Sequence, residues 1–215
     1  MNLLAYLNQG EIHFALEKER KKNKVLGISL QHKDVSFSED KIMASFPSLK
    51  KSVEEQIQEL SCLTQKLESH EAVVSLEEIY NLVKEEKEGF SPDDLSALTF
   101  NSPDTLQKLS VHSLLMKDRV YFRQKNHLYF PKPEEEVDAS IKKIAAEKEK
   151  EEQKHQTREQ ALEWLKNRLN PKEKLKQEPV PEAVASYLKP VRELAVFGEE
   201  TLKKNQALEI LQTLH

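Results

Sequence analysis

Residues 90–133 read FSPDDLSALTFNSPDTLQKLSVHSLLMKDRVYFRQKNHLYFPKP, and the order of signals along this stretch decides the fold. Ser91-Pro92-Asp93 and Ser102-Pro103-Asp104 are two helix starts in quick succession. In each, the serine suits the cap, the proline suits the first helical position, and the aspartate faces the positive end of the helix dipole. Leu106, Leu109, Leu114 and Leu115 then recur at helical spacing and form an apolar face. The pattern changes at Val120-Tyr121-Phe122 and Leu128-Tyr129-Phe130, two β-prone runs with a turn over residues 124–127. Upstream, residues 75–88 read as one more amphipathic helix. The capping box Ser75-Leu76-Glu77-Glu78 opens it, and Ile79, Leu82 and Val83 form its core face. Three helices followed by a hairpin predict a winged helix-turn-helix over residues 73–133.

The bulk numbers fit such a chain. With 215 residues there is room for one large domain or roughly two or three small ones. Hydrophobic residues are 38% and charged residues 33%, a balance that predicts a helix-rich protein with much exposed helical surface. Only 4 glycines are present and neither GxGxxG nor a P-loop occurs, which argues against a phosphate-cradling α/β enzyme. A net charge of −4 gives no general attraction to nucleic acid, so any such binding must come from local basic patches. Cys62 is the only cysteine, which excludes disulfide frameworks and cysteine-based zinc sites within one chain and fits a reducing cytosol. Its helical neighbours Ile57, Leu60 and Leu63 predict a part-buried structural thiol. No apolar run is long enough to span a bilayer and the first residues lack a signal-peptide layout, so a cytoplasmic location is expected.

Residues 1–47 read as β. Leu4 to Leu7 form a strand, Asn8-Gln9-Gly10 a turn, and Ile12, Phe14 and Leu16 alternate with more polar positions. After a second turn at Lys21-Lys22-Asn23, short apolar runs continue through Val25, Leu26, Ile28, Leu30, Val35, Phe37, Ile42, Ala44 and Phe46. So few residues cannot bury two separate sheet faces, and a small SH3-like β-barrel is expected. A connecting helix fills residues 48–72, with Val53, Ile57, Leu60, Leu63 and Leu67 on one side and a poor cap at its start. After Pro133 a long charged helix is expected over residues 134–169, carried by Glu and Lys pairs three and four apart. Residues 170–181 read as a linker. Residues 182–215 read as a helical tail of two helices, the first breakable at Pro190, with Gly198 as the cap between them. Leu202, Leu208, Ile210, Leu211 and Leu214 of this tail need a partner surface. The expected class is α+β, mostly helical.

Catalytic constellations are scarce. Asp93 and Asp94 are accounted for by capping, and Glu134-Glu135-Glu136 by the helix dipole. The histidines lack HxH or HExxH spacing, so no metal or cofactor is expected. Ser110 and His112 do not face each other on a helix. Basic patches carry more information. The wing offers Arg119, Arg123, Lys125 and His127 beside Tyr121 and Tyr129, a pattern that follows a phosphate backbone while Tyr121 stacks on a base. Equally, the rings belong to a core and the charges solvate an edge strand. A second cluster, Lys18, Arg20, Lys21, Lys22 and Lys24, sits at the first-domain hairpin, where phosphate contact and plain solvation are both open. On the third winged helix Lys108 and His112 are the polar side chains placed to enter a groove. That helix is poor in base-reading side chains, so sequence-specific major-groove readout is not expected.

Phe90-Ser91-Pro92, Leu95, Leu98 and Phe100, then His112 to Leu115 with Asp118-Arg119, Tyr121-Phe122 and Lys125, then Tyr129 with Pro131-Lys132-Pro133 and Val137, resemble the N-terminal region of ribonuclease II/R-type exoribonucleases. The bacterial and chloroplast subgroup, with a winged helix ahead of its catalytic domain, is the nearest form. The stretch from Gln9-Gly10-Glu11 to Phe46-Pro47 resembles that subgroup's opening small barrel, and the stretch from Phe197-Gly198 to Leu211 its helical segment leading into the nuclease domain. Asn126 departs from the glycine expected in the wing turn, but asparagine also tolerates positive φ. The family hydrolyses RNA from the 3′ end with magnesium ions held by aspartates of a later domain. No segment here matches that domain, so no catalytic residue is carried over.

The resemblance implies a noncatalytic accessory region that binds or guides RNA for a ribonuclease II-like 3′–5′ exoribonuclease. Expected partners are RNA and either a separate nuclease domain or a second copy of the chain, with no membrane and no small-molecule substrate. The alternatives are a protein-interaction module built on a winged helix and a DNA-binding regulator.

Overall fold

The computed structural model describes residues 2–169 and 179–213, which form a mostly helical α+β chain in two compact units, residues 1–141 and 142–215. The expected linker at residues 170–181 lies almost wholly outside the described residues, as does Leu214.

The first unit opens with strands β1 (Asn2–Asn8), β2 (Glu11–Lys21), β3 (Lys24–Ser29), β4 (Asp34–Ser38) and β5 (Ile42–Pro47). They form one antiparallel sheet in the order β4-β3-β2-β1-β5. Four strands meander, and a 3-10 turn at Glu39–Lys41 returns the fifth to pair with the first. Both early turns have left-handed residues, Gln9-Gly10 and Lys22, which suit the twist of tight hairpins. The alternation of strand side chains splits the apolar residues between two faces. Leu4, Tyr6, Ala15, Val25 and Phe37 pack on one, where the Tyr6 and Phe37 rings stack 3.8 Å apart. Leu3, Ala5, Phe14 and Leu16 pack on the other. The sheet therefore buries two faces, against the expectation of one, because helices cover the second.

Those helices are α1 (Val53–Val73) and α4 (Thr105–Lys117), which bring Leu60, Leu67, Leu106 and Leu109 to the sheet. Helix α1 starts later than its apolar pattern suggested. Ser52 caps it well, its Oγ accepting from the Glu55 N–H at 3.2 Å, and Leu49 is left outside at 94% exposure. Cys62 is exposed, not part-buried as expected: it points away from the face that carries Leu60 and Leu67.

The winged unit adds α2 (Leu76–Val83), α3 (Pro92–Thr99), and the hairpin β6 (Phe122–Lys125) and β7 (Leu128–Pro131). Phe90 bridges to Tyr129 through two backbone hydrogen bonds, so the hairpin gains a third short edge. Its core holds Ile79, Tyr80, Val83, Leu95, Val111, Leu115, Phe122 and Tyr129. Tyr80 replaces the expected Leu82, which is 66% exposed. The Tyr80 ring reaches Phe122 and Tyr121, and its hydroxyl donates to the Lys132 carbonyl at 2.9 Å.

The two Ser-Pro-Asp sequences behave differently. At α3 Ser91 is the cap, with a reciprocal box to Asp94, and Pro92 is the first helical residue. At α4 the cap is Asp104. Its carboxylate accepts from the Gln107 N–H at 2.8 Å, and the Gln107 side chain accepts from the Asp104 N–H at 2.9 Å. The third residue after Ser91 is an acid that can return the bond; after Ser102 it is Thr105, whereas Asp104 finds Gln107.

Helix α5 (Glu134–Leu169) starts after Pro133 as expected, and its Val137 joins the winged core. The second unit continues with α6 (Glu182–Tyr187), α7 (Lys189–Phe197) and α8 (Lys204–Thr213). The tail breaks at Leu188, just ahead of Pro190, and Gly198 at φ +62° caps α7. Helix α8 begins later than expected, leaving Leu202 at 103% exposure, while Ala161, Val184, Ala207 and Ile210 are buried.

Candidate nucleic-acid interface

Helix α4 occupies the position of a recognition helix, and its surroundings limit that role. Leu106 and Leu109 lie against the N-terminal sheet, whereas Val111 and Leu115 lie in the winged core. Buried Ser110 and Ser113 allow close approach between these surfaces. Little of the helix is left to enter a groove. Lys108 and His112 line a shallow cleft of about 410 Å³ with Met43, Pro92 and Asp93. Lys108 Nζ sits 3.5 Å from the Asp93 carboxylate. Burial pushes the His112 imidazole below its ordinary pKa of 6.5, although Asp93 pulls the other way, and the ring meets Tyr129 edge-on.

The hairpin is held from below. The Asp118 carboxylate accepts from the backbone N–H groups of Val120 (2.8 Å), Tyr121 (3.0 Å) and Phe122 (2.7 Å). This bend delays the first strand to Phe122, two residues after the apolar run begins. Asn126 and His127 form the tip at φ +52° and +62°, so asparagine fills the left-handed site as expected.

Along this hairpin the predicted site residues separate. Arg119, Arg123, Lys125 and His127 are exposed. Arg123 forms a two-pronged ion pair with Glu136, at 2.9 and 3.2 Å. Arg119 and Lys125 take part in no ion pair among the described residues. Lys132 Nζ donates to the Arg119 carbonyl at 2.7 Å and adds a cation to the same region that sequence reasoning overlooked. Tyr121 is half-buried with its ring 5.5 Å from Tyr80, and burial raises its pKa. Tyr129 is interior; its hydroxyl accepts from the Gln124 side chain at 3.3 Å.

The first-domain hairpin is largely neutralised. Arg20 pairs with Glu17 (2.8 Å) and Glu39 (2.7 Å), Lys18 with Asp34 (2.7 Å) and Lys21 with Glu19 (2.9 Å). Burial pushes the Glu17 carboxyl up, but bonds from Arg20 and Asn2 outweigh it and hold its pKa below the ordinary value. Lys22 and Lys24 are exposed on the tight turn. Among the described residues no group of three or more His, Cys, Asp or Glu is placed to hold a metal ion, and no helix is long and apolar enough to cross a membrane.

Comparison with known proteins gives matches along most of the chain. Residues 63–136 match the profile described as ribonuclease II, winged helix domain, and residues 141–215 match a double HTH domain profile of the ribonuclease II group. An uncharacterized ribonuclease of Synechocystis sp. is 33% identical over 144 residues, covering 65% of this chain. The aligned part is 20% of that relative, so the chain spans about a fifth of its length. No solved structure matches the chain.

Proposed function

The chain is a ribonuclease II-type region, carrying that group's winged-helix and double helix-turn-helix domains, and on this premise we propose that it binds and guides RNA. In this reading it is the accessory region of a ribonuclease II-like 3′–5′ exoribonuclease and works in the cytoplasm. The N-terminal sheet is its SH3-like barrel.

The observation that carries the reading is the wing. Lys125 and His127 stand exposed at the tip of the hairpin and Arg119 at its base, and Arg119 and Lys125 are outside the ion pairs of the described residues. Meanwhile α4 is spent on two cores, which disfavours duplex DNA in the usual groove-reading mode. Cations on a fixed hairpin contact phosphates without reading bases, as an exonuclease guide requires. The test is titration of unstructured single-stranded RNA with the wild-type chain and an Arg119→Ala/Lys125→Ala variant at low and moderate salt. Weaker binding across all sequences, with a shallower salt dependence, is expected. Identical binding by the two proteins refutes the wing as an RNA contact.

A second reading, docking of another protein or a second copy, is favoured by exposed Val196, Phe197 and Leu202 in the tail. Sedimentation of the wild type and a Leu202→Asp variant decides it: a monomer in both cases removes the second copy.

A further inference from the structure

The unit of residues 142–215 contains a cleft of about 620 Å³ that the reading above leaves without a role. Its lining includes Lys150, Lys154 and Arg158 from α5, Tyr187 from α6, and Gln206 and Glu209 from α8. In the sequence this part of α5 reads as solvated helix, since Glu and Lys alternate throughout. The spacing of its cations is more specific. Lys150, Lys154 and Arg158 follow at intervals of four, so they rise along one helix face in steps of about 6 Å. That step is comparable with the distance between successive phosphates of an extended strand.

The acids of the same turns do not cancel this stripe. Glu147, Glu149, Glu151, Glu152 and Glu159 are not on the cleft lining, and Glu159 lies 3.6 Å from His155. Among the described residues no ion pair involves Lys150, Lys154 or Arg158. Glu209 is the acid on the lining and already has an interaction of its own. Three cations outside the ion pairs of the described residues thus face a cleft that one engaged carboxylate lines. Holding like charges together costs repulsion, and a polyanion relieves it. Tyr187 supplies an aromatic ring across from the stripe, the combination by which single strands are held: cations follow the backbone and a ring stacks on a base.

We propose that this cleft is a second single-stranded RNA site, separate from the wing, in which Lys150, Lys154 and Arg158 contact successive phosphates and Tyr187 stacks on a base. It does not depend on the wing reading.

The test uses the full chain and a short unstructured RNA, with binding followed by fluorescence anisotropy over a range of salt. A Lys150→Ala/Lys154→Ala/Arg158→Ala variant loses about tenfold or more in affinity at low salt, and its salt slope shrinks by about two. Tyr187→Phe binds like the wild type and Tyr187→Ala binds more weakly. The losses multiply with those of Arg119→Ala/Lys125→Ala, so each site fails or stands alone. Photocrosslinking of RNA to the wild-type chain, with mapping of the labelled peptides, needs no variant to fold and places label within residues 150–158 or at Tyr187. A triple variant with the wild-type slope, label confined elsewhere, or preference for a duplex or an acidic protein over the single strand overturns the proposal.

Discussion

Leu109 and Val111 stand two residues apart on nearly opposite faces of α4 and are buried in different cores, Leu109 under the N-terminal sheet and Val111 beneath the wing. One helix thus serves both, and the cores should lose stability together. Leu109→Ala is expected to cost about 2–5 kcal/mol. Amide hydrogen exchange should then accelerate in β6 and β7 as well as in β1 to β5. Acceleration confined to the sheet would show that the two cores open independently.

Asp118 sets the base of the wing through three backbone N–H groups. Asp118→Ala leaves those donors without their acceptor and is expected to cost about 1–3 kcal/mol. Asp118→Asn keeps one acceptor oxygen and should fall between. Thermal unfolding gives the ranking, and limited proteolysis should cut the alanine variant first between residues 118 and 131. Equal stability of all three proteins would remove the role assigned to this carboxylate.

Glu136 holds Arg123 in an ion pair, and under the proposed RNA contact of the wing it competes with the strand for that guanidinium. The pair is surface-exposed and worth about 0–1 kcal/mol. Glu136→Gln should therefore tighten RNA binding by no more than about fivefold at low salt, and the gain should vanish when Arg123 is also changed to Ala. Unchanged or weaker binding by Glu136→Gln would place Arg123 outside the contact.

His112 makes stability depend on pH. Its folded pKa lies below the ordinary 6.5, with burial as the main cause. The unfolded chain then binds the proton more readily than the folded one. Stability is full above pH 6.5 and falls as pH drops from there through the lowered folded value. His112→Gln should flatten this part of the profile in urea titrations at stepped pH. Asp94, held below 3.8 by Ser91, acts in a lower window and does not confuse the comparison. A variant with the same slope as the wild type below pH 6.5 would exclude His112 as the source.

Gly27 is set by contact. A Cβ there would meet the Leu16 carbonyl oxygen at 2.7 Å, and that oxygen belongs to a paired backbone with no room to move. Gly27→Ala should cost about 1–3 kcal/mol, read from the shift in urea midpoint. A neutral substitution would mean that β2 and β3 can separate locally without loss.

Much of the fold was legible because its signals act over a few residues. Strand alternation marked four or five short β segments at the N-terminus, Ser91-Pro92-Asp93 marked α3, Pro133 marked the start of α5, and Asn126 accepted the left-handed wing tip. Even the miscast cap of α4 was local, since the choice between Ser102 and Asp104 turned on which had a partner three residues on. Features that depend on distant surfaces were not legible. Leu82 and Tyr80 are both plausible inward residues of one short helix, and only the wing and Lys132 make Tyr80 the buried one. Cys62 lies among apolar neighbours in sequence, but the sheet meets a different face of α1.

The candidate sites divide in the same way. The sequence by itself determined which positions carry cations, because residue type and helical or strand period are local properties. The tertiary structure alone decided which of those cations are available. Arg20 is claimed by Glu17 and Glu39, Arg123 by Glu136, and Lys108 by Asp93, whereas Lys125 stays open on the wing and Lys150, Lys154 and Arg158 line a cleft closed by α6 and α8. An ion pair forms where folding brings opposite charges within reach, and that distance is set by the packing of elements far apart in the chain.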